Sequence, residues 1–404
     1  MTSPPRTLAA QLAQTQSHFV WLHSGSRDRY TGGRSILAWD MQEELRSDDW
    51  DAFAAALSCD REPWENGWFG YLGYELKHGL ETLPRTRPGK LALPPLWMMR
   101  FGKVAVFEEE GSCQLQATSC KQKTDNWQLA TGSLHTQFTP SQHAERVERI
   151  RRYIAEGDLF QANLTQKWWQ EGQTPDPFAL FLRLQEVSPA PYSAYLRMGE
   201  THLLSSSPEC FLTLDGEGRA MSRPIKGTAR RGETPEQDAA IVAQLQASAK
   251  DRAENLMIVD LVRNDLARHC IPGSVAVERL CEVMSYPQLH HLVSTVTGQK
   301  RADVSSLDLV KGCFPPGSMT GAPKIRAMER IAELEELDRG VYSGAIGWFG
   351  GDGSLDLSVA IRTLILQPNY LEFQTGGAIT WDSTPQGEWE EMKLKAQGML
   401  RALR

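Results

Sequence analysis

A chain of 404 residues, 41% hydrophobic and 23% charged, has the composition of an ordinary globular protein and can bury roughly 75% of its unfolded surface. Its net charge of −7 argues against nucleic acid as a partner, since such binders carry a basic excess. No apolar run reaches the roughly 18 residues of a membrane span, so no membrane partner is expected. The start, Met1-Thr2-Ser3-Pro4-Pro5, lacks a signal-peptide layout, and seven cysteines without a C-x-x-C pair suggest neither disulfides nor zinc. The cytoplasm is the expected compartment.

Residues 1 to about 125 read as a strand-rich N-terminal region. Gly67 to Tyr74 is aromatic and glycine-rich, which suits a strand closely approached by another backbone. Lys103 to Glu108 and Ser112 to Thr118 read as a hairpin, and polar Lys121 to Gln137 as a linker. A helix then begins at N-cap Thr139 and Pro140, with Val147, Ile150 and Ile154 as its apolar stripe and Gly157 as its stop. Leu159 to Gln166 alternates like a strand, and a helix is expected around Pro177 to Gln185. Strands Leu203 to Ser206 and Cys210 to Leu214 frame Ser207-Pro208-Glu209, which places Glu209 beside a break.

Asp215-Gly216-Glu217-Gly218 is a hairpin signal leading to Ser222-Arg223-Pro224-Ile225-Lys226-Gly227-Thr228-Ala229-Arg230-Arg231-Gly232. Lys226 is expected to leave a strand end and enter a glycine turn. A lysine amine is a nucleophile only when neutral, and neighbouring positive charge, here Arg223, Arg230 and Arg231, or desolvation lowers its pKa. A solvated basic loop is the plainer reading of the same residues.

Residues 248 to 268 form a strong helix with Asp251 and Glu254 on one face. Beyond it, Phe314 to Lys324 is a small-residue loop feeding a helix from about Pro323 to Leu337. Such a loop suits either an anion at the helix N-terminus or a tight packing turn. Gly344 to Phe349, Leu357 to Leu366 and Leu371 to Thr375 read as strands, with Arg362 in an otherwise apolar run. A buried arginine needs a carboxylate partner. Gly376-Gly377-Ala378 reads as a turn with accessible N–H groups. The last helix starts at Thr384 and Pro385, with Glu388, Glu391 and Lys395 on one side and Trp389, Met392, Ala396 and Met399 on the core side. Two helices each offering acids three apart suit Mg²⁺, which takes oxygen ligands and few carboxylates, although such pairs are also common on wet helices.

From about Ala144 to Leu403 the chain resembles the chorismate-utilising enzymes. The resemblance is carried by Asp158 to Leu164 (DLFQANL), Ser206 to Glu209 (SSPE), Asp251 to Leu261 (DRAENLMIVDL), Val262 to Asp265 (VRND), His290 to Ser294 (HHLVS) and Gly317 to Lys324 (GSMTGAPK). Trp68 to Tyr74 matches more weakly. Within that family, Pro224-Ile225-Lys226-Gly227-Thr228 resembles the members that aminate ring carbon 4. Anthranilate-forming members have alanine where Lys226 stands, and isochorismate- and salicylate-forming members have a water-activating lysine where Gln161 stands.

The resemblance implies an α+β fold of two antiparallel β-sheets packed face to face with helices outside. It implies an N-terminal region, 1–125, packed on a chorismate-binding catalytic domain, 139–404. It further implies Mg²⁺ on the ring carboxylate, with Glu254 and Glu391 as ligands and Asp251 and Glu388 in support. Gly227 and Thr228 would meet the same carboxylate. Tyr342, Arg362, Gly377, Ala378 and Lys395 would hold the enolpyruvyl carboxylate, while His291 and Ser318 line the ring. Ala378 stands where relatives have glycine, and Trp21-Leu22-His23-Ser24 departs from the pattern that anchors tryptophan in feedback-regulated relatives. Glu209 would be the acid for the carbon 4 hydroxyl and Lys226 the covalent nucleophile. Ammonia would then give 4-amino-4-deoxychorismate, a precursor of p-aminobenzoate and folate. No cysteine has a glutaminase context, so ammonia is expected from a separate glutaminase subunit or from solution. The rival expectations are an anthranilate-forming component and a non-catalytic binding subunit.

Overall fold

Several helices begin where a side chain satisfies the free N–H groups of their first turn. Thr139 does so in a capping box with Gln142, Thr384 caps onto Gly387, and Ser248 caps onto Asp251. The computed structural model describes residues 5–25, 33–57, 64, 66–108, 134–286 and 289–404. The expected strand Ser112–Thr118 and most of the expected linker lie outside these residues.

In chain order the first elements are α1 (Pro5–Thr15), β1 (His18–His23), β2 (Arg34–Ser47), α2 (Trp50–Ala56), β3 (Trp68–Leu72) and β4 (Leu96–Glu108). Then come β5 (His135–Thr136), α3 (Pro140–Ala155), β6 (Gln161–Glu171), α4 (Pro177–Val187), β7 (Tyr192–Met198), β8 (Thr201–Ser207), β9 (Cys210–Leu214), β10 (Arg219–Arg223) and β11 (Ile225–Arg230). The chain continues through α5 (Pro235–Ala247), α6 (Ala249–Ala267), β12 (Ala276–Ser285), β13 (Leu289–Gln299), α7 (Ser306–Cys313), β14 (Gly321–Ala322) and α8 (Lys324–Glu335). It ends with β15 (Ala345–Phe349), β16 (Leu355–Val359), β17 (Thr363–Gln367), β18 (Tyr370–Ile379) and α9 (Pro385–Ala402).

Every pairing between these strands is antiparallel, and together they form one hydrogen-bonded ribbon. One half runs β6–β18–β17–β8–β7–β1, and the other β3–β15–β16–β9–β10–β13. The long pair β2 and β4 joins them, meeting β1 near Leu37 and β3 near Met98 at opposite ends. Val20, Phe69, Leu196, Leu203, Ile346 and Ile365 from both halves form the layer between them. Helices α1, α4 and α9 cover the outside of the first half, and α2, α6 and α7 the outside of the second. The fold is thus the expected two antiparallel layers with helices outside. Met392 and Met399 of α9 are fully buried, each contributing roughly 1.5–3 kcal/mol by leaving water.

Three local readings are corrected. Leu357–Leu366 is two strands, because β16 pairs with β9 and β15 whereas β17 pairs with β8 and β18. Gly376-Gly377-Ala378 is no turn, since β18 continues through it opposite Thr165, Leu164 and Asn163 of β6. Lys226 enters no turn either but lies within β11. Cys210, Cys270, Cys281 and Cys313 are buried and in no disulfide, and no helix among the described residues is long and apolar enough to cross a membrane.

Candidate active site

A cleft of about 770 Å³ opens where β11, β13, β18, α6 and α9 meet. Its lining includes Glu209, Lys226, Gly227, Thr228, Asp251, Glu254, His291, Ser318, Tyr342, Arg362, Ala378, Glu391 and Lys395. Residues from Glu209 to Lys395 that are scattered along the chain therefore share one cavity.

Lys226 owes its direction to a β-bulge. The register with β13 passes from Ile225↔Val293 to Thr228↔His291, so three steps on β11 oppose two on its partner. Gly227 absorbs the bulge at φ +86°, a conformation that costs glycine little. A Cβ at Gly227 would also press on Asp251 of α6, 3.1 Å away. Lys226 thus leaves the ladder and faces the cleft, where burial lowers its pKa, helped by Lys395 and opposed by Glu254, Glu209 and Glu391. The cations acting on it are not the expected arginines: Arg231 is committed to Asp238.

Glu209 sits between β8 and β9 and is 5% exposed. Burial pushes its carboxyl up to about 7, while Ser318, Lys226, the Ile225 amide and Lys395 favour the charged form. The Ser318 hydroxyl is buried beside that carboxyl. His291 accepts or donates at Nδ1 with Thr228 Oγ1, 2.9 Å away. Burial, followed by Arg362, His290 and Lys395, holds its imidazole neutral, down to about 3.

Arg362 falls in the break between β16 and β17 at φ +49°, a conformation that costs a non-glycine residue roughly 1–2 kcal/mol. Its carbonyl accepts from the Ser206 amide, and its guanidinium faces the cleft. The expected carboxylate partner is missing: no ion pair engages Arg362 among the described residues. Burial pulls its pKa down to about 10, with Glu209 opposing. A half-buried cation in no ion pair favours an anionic ligand.

Past Gln374, β18 has β6 on one edge and the cleft on the other. Lys395 Nζ donates to the Gly376 carbonyl at 3.0 Å, which orients that residue's backbone toward the cleft. Alternation then presents the N–H groups of Gly376 and Ala378 to the cavity and turns that of Gly377 to β6. Gly376 and Ala378 line the cleft, whereas the expected Gly377 does not. Ala378 is extended, so no glycine is required there.

Facing carboxylates complete the site. Glu254 on α6 and Glu391 on α9 repel each other across the cleft. Glu391 pairs with Lys395 at 2.7 Å, which holds its pKa down, whereas burial raises Glu254 and Glu388. Glu388 lies behind the lining; its Oε1 accepts from Ser383 Oγ at 2.5 Å, and its buried Oε2 has no partner. No three acids or histidines among the described residues already converge as a closed metal cage. Mg²⁺ does not need one, because it binds through one or two carboxylates plus water and substrate oxygen. The all-oxygen donors, the orphaned Glu388 oxygen and the penalised charges fit such an ion.

The sequence reading passed over Asn163, Gln374 and Lys250, which also line the cleft. The signal for Asn163 was available: Gln161, Asn163 and Thr165 place polar groups at period two within a buried strand. Gln161 is fully buried with both amide atoms unpartnered, and it is not among the lining residues.

Residues 16–401 match the family described as chorismate binding enzyme. The chain is 42% identical over 384 residues to an aminodeoxychorismate synthase of Streptomyces pristinaespiralis, covering 87% of this chain and 53% of that protein. It is 35% identical to aminodeoxychorismate synthase component 1 of Escherichia coli, covering 84% and 78%. The solved anthranilate synthase component I of Streptococcus pneumoniae superposes with a TM-score of 0.80 at 28% identity, over 91% and 92% of the two chains. The chain spans about half the length, or less, of several of the synthases it resembles.

Proposed function

Because the chain belongs to the chorismate-binding enzyme family, we propose that its cleft aminates chorismate at ring carbon 4 to give 4-amino-4-deoxychorismate. The observation that carries this reading is the pairing in one cavity of a carboxyl pushed toward its protonated form and a lysine pushed toward its neutral form, Glu209 and Lys226. An acid and a nucleophile in those states are what displacement of a poor leaving group requires. Relatives named aminodeoxychorismate synthase support the same reading.

Chorismate carries two carboxylates. Arg362, Tyr342, Lys395 and the Gly376 and Ala378 amides hold the enolpyruvyl carboxylate, and the Gly227 and Thr228 amides meet the ring carboxylate. Glu254 and Glu391 would hold Mg²⁺, with Asp251 and Glu388 in support. When bound, that ion neutralises the ring carboxylate and fixes the ring's orientation. Neutral His291 and Ser318 border the ring.

Lys226 Nζ attacks ring carbon 2, the two conjugated ring double bonds shift, and the carbon 4–oxygen bond breaks as Glu209 gives its proton to the departing hydroxyl. One water leaves and Glu209 is left as carboxylate. Ammonia then attacks carbon 4, and the carbon 2–nitrogen electron pair returns to Lys226 as a neutral amine. The surplus proton on the new ammonium group passes to Glu209. Both residues end as they began.

The active state therefore holds one proton between Glu209 and Lys226, so the pair titrates together. At constant free ammonia, kcat/KM is expected to be bell-shaped in pH. It falls at low pH as Lys226 gains a second proton for the pair, and at high pH as Glu209 loses the shared one. In Glu209→Gln the residual rate, lower by roughly a hundredfold, is expected to keep the acid limb and lose the alkaline one. An unchanged alkaline limb in that variant excludes Glu209 as the acid.

The activity itself is tested by incubating the purified chain with chorismate, Mg²⁺ and ammonium and measuring product mass and fluorescence. The expected product is 4-amino-4-deoxychorismate, formed with ammonium alone. Glutamine is expected to serve only after a glutaminase subunit is added. Fluorescent anthranilate as the main product overturns the reaction, and glutamine use by the chain alone overturns the partnership.

A further inference from the structure

The helix α5, Pro235–Ala247, packs against β11, β12 and β13 yet buries one side chain, Leu245. Apolar packing alone therefore holds it weakly. Its firmest attachment is polar and lies in its first turn, at Asp238. Four N–H groups converge on that carboxylate: Arg231 Nε at 2.9 Å, Arg231 Nη2 at 2.8 Å, the Gly232 amide at 2.8 Å and His290 Nε2 at 2.8 Å. A carboxylate only accepts, so the proton of His290 must sit on Nε2, and Ser285 Oγ, 2.7 Å from Nδ1, donates there. Arg231 also donates Nη1 to the Tyr286 carbonyl at 2.9 Å. The fit is close enough that a Cβ on Gly232 would sit 2.3 Å from the Asp238 amide nitrogen.

What this clamp joins matters for the cleft. Arg231 and Gly232 follow directly on β11, the bulged strand that carries Lys226, Gly227 and Thr228. His290 precedes His291 on β13 and stands opposite Ala229 of β11. Beyond its bulge β11 keeps only three ladder partners, all on β13, and no strand pairs with its outer edge among the described residues. Nothing in that short ladder prevents its outer end from swinging.

We infer that Asp238 is a positioning residue, which ties Arg231 at the end of β11 to His290 on β13 and so fixes the wall from which Lys226 reaches carbon 2. It touches no substrate. The inference rests on the proposed amination, because the position of Lys226 matters through the attack it makes. Strong hydrogen bonding keeps Asp238 ionised, so the clamp is closed across the neutral range. Misplacing a reacting group by about 1 Å can cost on the order of a hundredfold in rate.

The test uses the full chain with Mg²⁺, chorismate and ammonium. Asp238→Asn keeps the shape but turns one acceptor into a donor against Arg231 or His290; Asp238→Ala removes both acceptors. We expect kcat to fall roughly tenfold in the first and toward a hundredfold in the second, with a smaller rise in KM for chorismate because Gly227 and Thr228 move with the same strand. Amide hydrogen exchange is expected to quicken in 226–231 and 289–293 while α9 stays as in wild type. Arg231→Gln is expected to lower kcat similarly, and the double variant to be little worse than either single one. Unchanged kcat, with or without a lower Tm, overturns the inference, because the clamp is then only structural. A fall in kcat without faster exchange in β11 overturns it as well. If wild type forms no amino product, the proposed reaction fails, while the exchange comparison still decides whether Asp238 holds β11.

Discussion

Replacing Lys226 with alanine is expected to lower carbon 4 amination by on the order of a thousandfold or more, which corresponds to about 4 kcal/mol of barrier. Chorismate binding should change little. Arg362, Lys395 and the backbone amides that grip the carboxylates remain, and the metal-binding acids are untouched. Loss of rate without loss of binding is the signature of a group that acts in the chemical steps. The emptied space beside the bulge admits ammonia to carbon 2, so a weak anthranilate-type product is an allowed by-product. Wild type mixed with chorismate in the absence of ammonia is expected to gain an adduct on the peptide carrying Lys226. If no adduct forms and Lys226→Ala aminates carbon 4 at the wild-type rate, Lys226 is not the nucleophile.

Glu254→Gln and Glu391→Gln are each expected to reduce turnover at saturating Mg²⁺ by at least about a hundredfold, because each removes a charge that offsets the ion. The metal-free protein supplies a second readout. Burial raises the folded-state pKa of Glu254 above its usual value. A carboxyl raised on folding contributes instability that grows as pH climbs from the unfolded pKa to the folded one. Removing that charge in Glu254→Gln is therefore expected to raise the metal-free Tm at neutral pH while abolishing the further rise caused by Mg²⁺. Glu391→Gln should behave differently without metal. Its pKa is held down by Lys395, so the ion pair is lost and Tm should not rise. Near-wild-type turnover at limiting Mg²⁺ in either variant rules it out as a ligand.

Much of the architecture is written in local signals. Thr139 with Pro140, Ser248, and Thr384 with Pro385 announce their helices because a cap and a missing N–H act within one turn. Acids three apart on α6 and α9 were visible as pairs, but not that the two helices face each other across a cleft. The break at Arg362 was illegible for a related reason. Leu357 to Leu366 contains no Gly, Pro, Asn or Asp, and the division arises because its two ends pair with different strands. The glycines after Thr375 suggested a turn, yet β6 supplies a partner for every residue through Ile379. The bulge at Lys226 also depends on a partner, since only the register against β13 reveals the extra residue. The depressed lysine pKa was anticipated from neighbouring charge or desolvation; burial is the larger cause, and the cation that helps is Lys395 rather than an arginine beside it in the chain.

The way early and late strands pair bears on how such a chain can be inherited. β1 fills the free edge of β7, and β3 fills that of β15. A cut between the early and late segments would sever no covalent core, but it would bare two strand edges in the half that keeps the cleft. Open edges of that kind recruit other chains and promote aggregation. The early strands, which contribute no side chain to the cleft lining, thus act as a permanent cover for sticky margins. Recombination or truncation that separates them from the later strands meets a barrier of solubility before any barrier of chemistry.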